Sequence, residues 1–98
     1  MLDAIVVMRP VVGAIEKRDR ELASQLRRAA GSVVLNVAEG SGSYGGVRLQ
    51  RYRTALGSAR ETWACLRVAQ AAGYVAALPR DLPSLMNRVI GTLVRVAA

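Results

Sequence analysis

Histidine and phenylalanine are absent from these 98 residues, cysteine occurs once, and aromatic residues make up only 4% of the chain. Each absence closes off a class of chemistry. Without imidazole there is no His metal ligand, no near-neutral acid–base group and no triad base. A single thiol, Cys65, can form neither an internal disulfide nor a thiolate zinc site. No metal and no organic cofactor is expected. The free thiol and the lack of a signal-peptide pattern point to a reducing cytoplasm. The longest apolar runs, such as Ala4–Met8 and Val33–Leu35, fall far short of the roughly 18 residues needed to cross a bilayer. Acids are scarce too: 7 Asp+Glu stand against 14 Lys+Arg, for a formal net charge of +7. All but one of the basic residues are arginine.

Apolar residues are abundant, at 52% of the chain. Counted with glycine and without tyrosine the share is about 58%, above the 45–50% of an ordinary soluble domain. A chain of this length forms one domain, residues 1–98, with a poor ratio of volume to surface. It cannot hide all of that material in one monomeric core, so a partner surface is expected, most simply another copy of the chain.

The pattern is helical throughout. No stretch alternates apolar and polar residues for long, and Ala and Leu, both good helix formers, dominate. A first helix is expected at about 2–17, with Ile5, Met8, Val12 and Ile15 on one face and Val7, Val11 and Ala14 on a second. Pro10 should kink or interrupt it. A second helix is expected at about 20–41, capped by Asp19, with the stripe Leu22, Leu26, Ala29/Ala30, Val33 and Val37. Gly31 inside it would mark the close approach of a neighbour. A third is expected at about 46–73, with Leu49, Tyr52, Leu56, Ala59, Trp63 and Leu66 as a heptad seam and Gly73 as its stop. A fourth, about 82–97, has Asp81 as candidate cap, Pro83 in its first turn, and the stripe Leu82, Leu85/Met86, Val89, Leu93 and Val96. Four helices on short connections predict an all-α, antiparallel up-down-up-down four-helix bundle.

Three patterns bear on chemistry. Gly40-Ser41-Gly42-Ser43-Tyr44-Gly45 matches GxGxxG literally, but that fingerprint works only between a strand and a helix. Here a helix precedes it, so it reads as a helix–helix loop whose backbone N–H groups offer at most a weak anion site. The second pattern is arginine at seven-residue spacing: Arg53, Arg60 and Arg67 on the third helix, Arg88 and Arg95 on the fourth, Arg20 and Arg27 on the second. Each row shares a helix face with steps of about 10.5 Å. A solvated face laced with ion pairs is the alternative to phosphate binding. For any single row the solvated face is preferred, but too few acids are present to neutralise them all, which narrows the gap to phosphate binding. With few aromatics for base stacking, the binding expected is driven by backbone and shape. Third, Asn36 with Glu39, and Ser58 with Glu61, allow a paired-carboxylate site. The structural reading is preferred, in which these groups pair with Arg27, Arg28 or Arg60 or cap helix ends. Cys65 reads as a small packed residue rather than a reactive thiol.

The stretch Gln25-Leu26-Arg27-Arg28-Ala29-Ala30-Gly31-Ser32-Val33, followed by Asn36-Val37-Ala38-Glu39-Gly40, resembles the signature of the four helix bundle protein family, also called the 23S rRNA intervening-sequence protein family. Ala55, Gly57, Ser58 and Glu61 match its downstream A-x-GS-x-x-E segment, and Gly73-Tyr74 fits as well. The resemblance covers about residues 20–75 closely. It implies a small all-α bundle assembling as a pentameric ring, with members encoded in insertions of bacterial 23S rRNA genes or standing alone. A related branch, the accessory variability proteins of diversity-generating retroelements, is basic and binds nucleic acid and a reverse transcriptase. The resemblance implies no enzymatic activity. It marks Arg27, Arg28, Asn36, Glu39, Gly40, Ser58 and Glu61 as residues of fold and assembly. The short link between the first two helices and the Pro10 interruption depart from many relatives. The expected function is a non-enzymatic homo-oligomer, a pentamer on the resemblance, binding structured RNA through its phosphates. The alternative is a protein-interaction scaffold for an acidic partner such as a reverse transcriptase.

Overall fold

A computed structural model describes all of residues 1–98. It has four helices and no strands: α1 Leu2–Arg18, α2 Arg20–Ser41, α3 Gly45–Ala71 and α4 Leu82–Val96. The longest, α3, has 27 residues, about 40 Å at 1.5 Å each, and it sets the long dimension of a molecule measuring 42 × 24 × 19 Å. The pairs α1–α2, α2–α3, α3–α4 and α1–α4 are in contact, with α2–α3 the most extensive.

The helix ends follow local chemistry. Asp19 alone separates α1 from α2, and its Oδ1 accepts a hydrogen bond from the Leu22 N–H at 2.9 Å. This is the expected cap, satisfying one of the four donors that open a helix. Gly73 adopts φ +78°, a conformation that costs glycine little. Its N–H bonds the Gln70 carbonyl, and the Tyr74 N–H bonds that of Ala69, the paired reversal that closes a helix C-terminus. Asp81 stands in the cap position of α4, but its carboxylate makes no capping bond.

Several local expectations are sharpened or corrected. Of the two outcomes expected at Pro10, the interruption does not occur: α1 continues as one helix through it. The carbonyl that loses its donor belongs to Val6, which is exposed beside an exposed Pro10, where water satisfies it. Gly31 has no neighbour near enough to meet an added Cβ, whereas Gly40 does. The expected α3 seam holds only in part: Ala59 and Leu66 are buried, while Leu49, Tyr52, Leu56 and Trp63 are only half-buried. The buried line consists of Ala55, Ala59, Thr62, Cys65, Leu66 and Ala69. Small side chains let α2 and α3 approach closely: Val33 of α2 packs with Ala55 and Ala59, and Ala30 joins the core that holds Cys65, Leu66 and Ala69.

The core has two parts. The larger joins Met8, Val11 and Ile15 of α1, Leu26 of α2, Leu66 of α3 and Met86 of α4. The smaller gathers Val33, Ala55, Ala59 and Leu93. Only 20 of 98 residues are buried, so much apolar surface stays outside. Leu2, Leu35 and Val47 are each more than half exposed, and so is Tyr44 near the α2–α3 turn. A groove of about 660 Å³ opens between the start of α1, α2 and α4, lined by Leu2, Val34, Val37, Leu85, Val89 and Val96 among others.

Candidate nucleic-acid interface

Fourteen basic side chains share two ion pairs, Arg27–Glu16 at 2.6 Å and Arg51–Glu39 at 3.0 Å. Most of the positive charge is therefore unneutralised and exposed. The rows do not contribute equally. On α2, Arg27 is held by Glu16, and that hydrogen bond, with the attraction behind it, lowers the Glu16 pKa below the usual carboxylate value. Arg20 is exposed and forms no ion pair. On α3, the Arg53 Nε donates to the Ala97 carbonyl at 3.3 Å, tying the row to the end of α4. Arg67 lies over the Trp63 ring, 5.7 Å from its centroid, a cation–π contact. Arg60 alone in that row has no such engagement.

The α4 row differs. Arg88 and Arg95 lie with Arg80 along a groove of about 640 Å³ whose eight lining residues include no hydrophobic and no acidic side chain. Ser84, Gly91 and Thr92 keep the helix surface low between the arginines. The Arg95 Nη2 donates to Thr92 Oγ1 at 3.3 Å, laying the guanidinium along the face. Spacing identified Arg88 and Arg95 in the sequence. Arg80 escaped it because it precedes the helix, where heptad spacing has no meaning.

The two carboxylates of the acid–base reading are not brought together. Glu39 pairs with Arg51, and Glu61 lines a separate polar cleft with Gln25, Arg28, Ser32 and Ser58. Arg51 and Glu61 are ten residues apart on α3, about 15 Å along the axis. The expected partners change as well: Arg27 takes Glu16, Glu39 takes Arg51, and Arg28 and Arg60 form no ion pair. Chain distance hides such pairs, since eleven or twelve residues separate the partners.

Among the remaining polar residues one hydroxyl pair joins α2 to α3, and its neighbours bond within their own helices. Ser32 Oγ and Ser58 Oγ are 2.8 Å apart, and the Asn36 Nδ2 donates to both the Ser32 carbonyl and its hydroxyl. Thr62 turns its hydroxyl back to the Ser58 carbonyl at 2.8 Å. Every buried side-chain polar atom has a partner, as close packing demands. Ser32 was missed in the sequence; its four-residue spacing from Asn36, which puts both on one helix face, was the available signal. At the α2–α3 turn Arg48 donates to the carbonyls of Gly40 and Ser43. A guanidinium thus already closes the glycine-rich loop. Cys65 is buried, and burial, followed by the Glu61 charge, raises its thiol pKa. No group of His, Cys, Asp and Glu is arranged to hold a metal ion, and no helix is long and apolar enough to cross a membrane.

The fold and its surface define a class: a small four-helix protein whose helices join through short-chain polar contacts and whose outside carries an unneutralised arginine excess. The model of the 23S rRNA-intervening sequence protein family matches residues 6–93, and the chain belongs to that family. No curated protein and no solved structure matches the chain.

Proposed function

We propose that this chain is a non-enzymatic, cytoplasmic homo-oligomer that binds structured RNA through the phosphate backbone. The observation that carries the reading is the charge distribution: 14 basic residues, two ion pairs, and a groove along α4 lined by Arg88, Arg95 and the preceding Arg80 with no acid in it. Arginine suits phosphate because its planar fork makes paired hydrogen bonds. The scarcity of exposed aromatics disfavours base stacking, which leaves backbone and shape. The family's printed name, which concerns a ribosomal RNA insertion, agrees with an RNA partner.

The reading includes an up-down-up-down, antiparallel course. The one-residue link at Asp19 supports it, because so short a connection reverses the chain. So do the contacts Gly40–Tyr52 and Ser32–Ser58, in which earlier residues of α2 meet later residues of α3. It also includes assembly into a ring, a pentamer by resemblance to the family, supported by the apolar groove and the exposed Leu2, Leu35 and Val47. Assembly multiplies the charge presented to a polyanion.

Sedimentation together with RNA titration at several salt concentrations tests the reading. The expected result is an oligomer whose log K falls linearly and steeply with log salt. A folded monomer at working concentration removes the assembly. Affinity that stays flat across salt removes the phosphate contact and favours the protein-scaffold alternative.

A further inference from the structure

The geometry points to the outer face of α4 as the track for the RNA backbone: Arg88 and Arg95, with Arg80 before the helix, seat phosphates of a double-helical RNA without reading its sequence. This rests on the nucleic-acid reading above and says where on the chain the contact falls.

The other rows are broken up: Arg27 is neutralised by Glu16, Arg53 is bound to the Ala97 carbonyl and Arg67 is spread over Trp63. This leaves Arg20 and Arg60 as single unengaged members, whereas Arg95 is held only by a Thr92 hydroxyl on its own helix. Arg88 and Arg95 form no ion pair, and no carboxylate lines the groove they share, although Arg88 and Thr92 also reach the rim of the apolar groove, where Asp3 lies. Seven residues, about 10.5 Å of helix, separate their backbones, so the two long side chains can reach neighbouring phosphates. Between them Gly91 and Thr92 are short, and the Arg95 guanidinium lies over them, so a sugar–phosphate chain entering the groove meets it directly. Ser84, Asn87 and Thr92 add neutral hydrogen-bonding groups that match phosphate and ribose oxygens. The groove holds no aromatic residue. Single strands are usually held by stacking, and duplex RNA by shape, phosphate and 2′-OH contacts, so the lining fits a duplex.

The test uses the full chain and a labelled RNA duplex of about 20 base pairs and arbitrary sequence. Replacing both arginines, Arg88→Gln with Arg95→Gln, should weaken binding about ten-fold or more and reduce the salt slope by about 2, alike for unrelated sequences. The paired control Arg53→Gln with Arg67→Gln should change affinity less than about three-fold. A second variant, Gly91→Glu, places a carboxylate on the track. Its Cβ meets nothing closer than Arg95 Nη1 at 3.9 Å, so the helix accommodates it, and binding should fall in the same direction. The proposal is overturned if the Arg88/Arg95 variant keeps its helicity and assembly and binds within about two-fold of the parent. It is overturned too if a single strand of equal length binds more tightly than the duplex. If the parent chain itself shows no salt-dependent binding, the nucleic-acid reading falls and the track with it; a parent that binds while the α4 variants bind equally well sinks the track alone.

Discussion

Gly40 of α2 lies against the ring of Tyr52 on α3 so closely that a Cβ at residue 40 would sit 2.6 Å from Tyr52 Cε1 and 2.8 Å from Cδ1. No side chain fits there unless the ring moves. Gly40 is a buried helical residue, not a loop residue, so close approach explains it and backbone freedom does not.

The sign of a glycine-to-alanine change should therefore depend on position. Within a helix, alanine is ordinarily better than glycine by about 0.5–1 kcal/mol. Gly57, with nothing near its would-be Cβ, should follow that rule and raise the denaturation midpoint. Gly40→Ala should lower stability by about 1–3 kcal/mol, the usual cost of overpacking. Truncating Tyr52 in the same chain should reverse part of that loss. Urea unfolding of the three variants checks it, and a stabilised Gly40→Ala chain would show that the ring yields freely.

The Ser32–Ser58 pair is a part-buried polar link between α2 and α3. Ser58→Ala should cost about 0.5–1.5 kcal/mol, the net worth of an ordinary hydrogen bond. Ser32→Ala also strips Asn36 of one of its two acceptors, though not of the Ser32 carbonyl, and should cost somewhat more. A double-mutant cycle should return coupling of about 0.5 kcal/mol or more. Strict additivity would mean that the two hydroxyls do not share a bond in solution.

Asp19 ends one helix and starts the next. Its Oδ1 caps α2, and the Tyr74 hydroxyl donates to its Oδ2 at 3.4 Å. Asp19→Ala should cost about 1 kcal/mol, as cap losses do, while Asp19→Asn, which retains a capping oxygen, should cost less. Thermal melts of both variants compare them directly; equal losses would shift the weight from the cap to the carboxylate charge.

Glu16 gives a dependence on pH. Its carboxyl is held below the usual value by the Arg27 hydrogen bond and then by the attraction of that charge. A depressed pKa means that the folded state prefers the ionised form. The resulting stability is present above the unfolded-state pKa and disappears as pH falls through the folded one. Glu16→Gln should therefore flatten the acid limb of the stability curve below about pH 4.5. The effect should be small because the pair is half exposed and screened by salt. An unchanged acid limb in the variant would show that the pair does not persist in solution.

The elements themselves were legible in the order of residues. Apolar spacing, Asp19 and Gly73 place the four helices within about two residues of their observed ends, because caps and reversals are local chemistry. Composition likewise excluded imidazole chemistry, an internal disulfide and a thiolate zinc site by what is simply not in the chain. Tertiary structure decided which of two adjacent lines on α3 is buried. Periodicity alone cannot separate Leu49–Leu66 from Ala55–Ala69, since both recur at helical spacing. The facing side chains of α2 decide it, and the small residues win because they bring the two backbones nearest. The same holds for the arginines. Their spacing declares which share a face, but only the folded chain assigns Arg27 to Glu16, Arg53 to Ala97 and Arg67 to Trp63, because those partners come together by packing and not by sequence. Packing likewise leaves Arg88 and Arg95 together in a groove without a carboxylate, which spacing alone does not show.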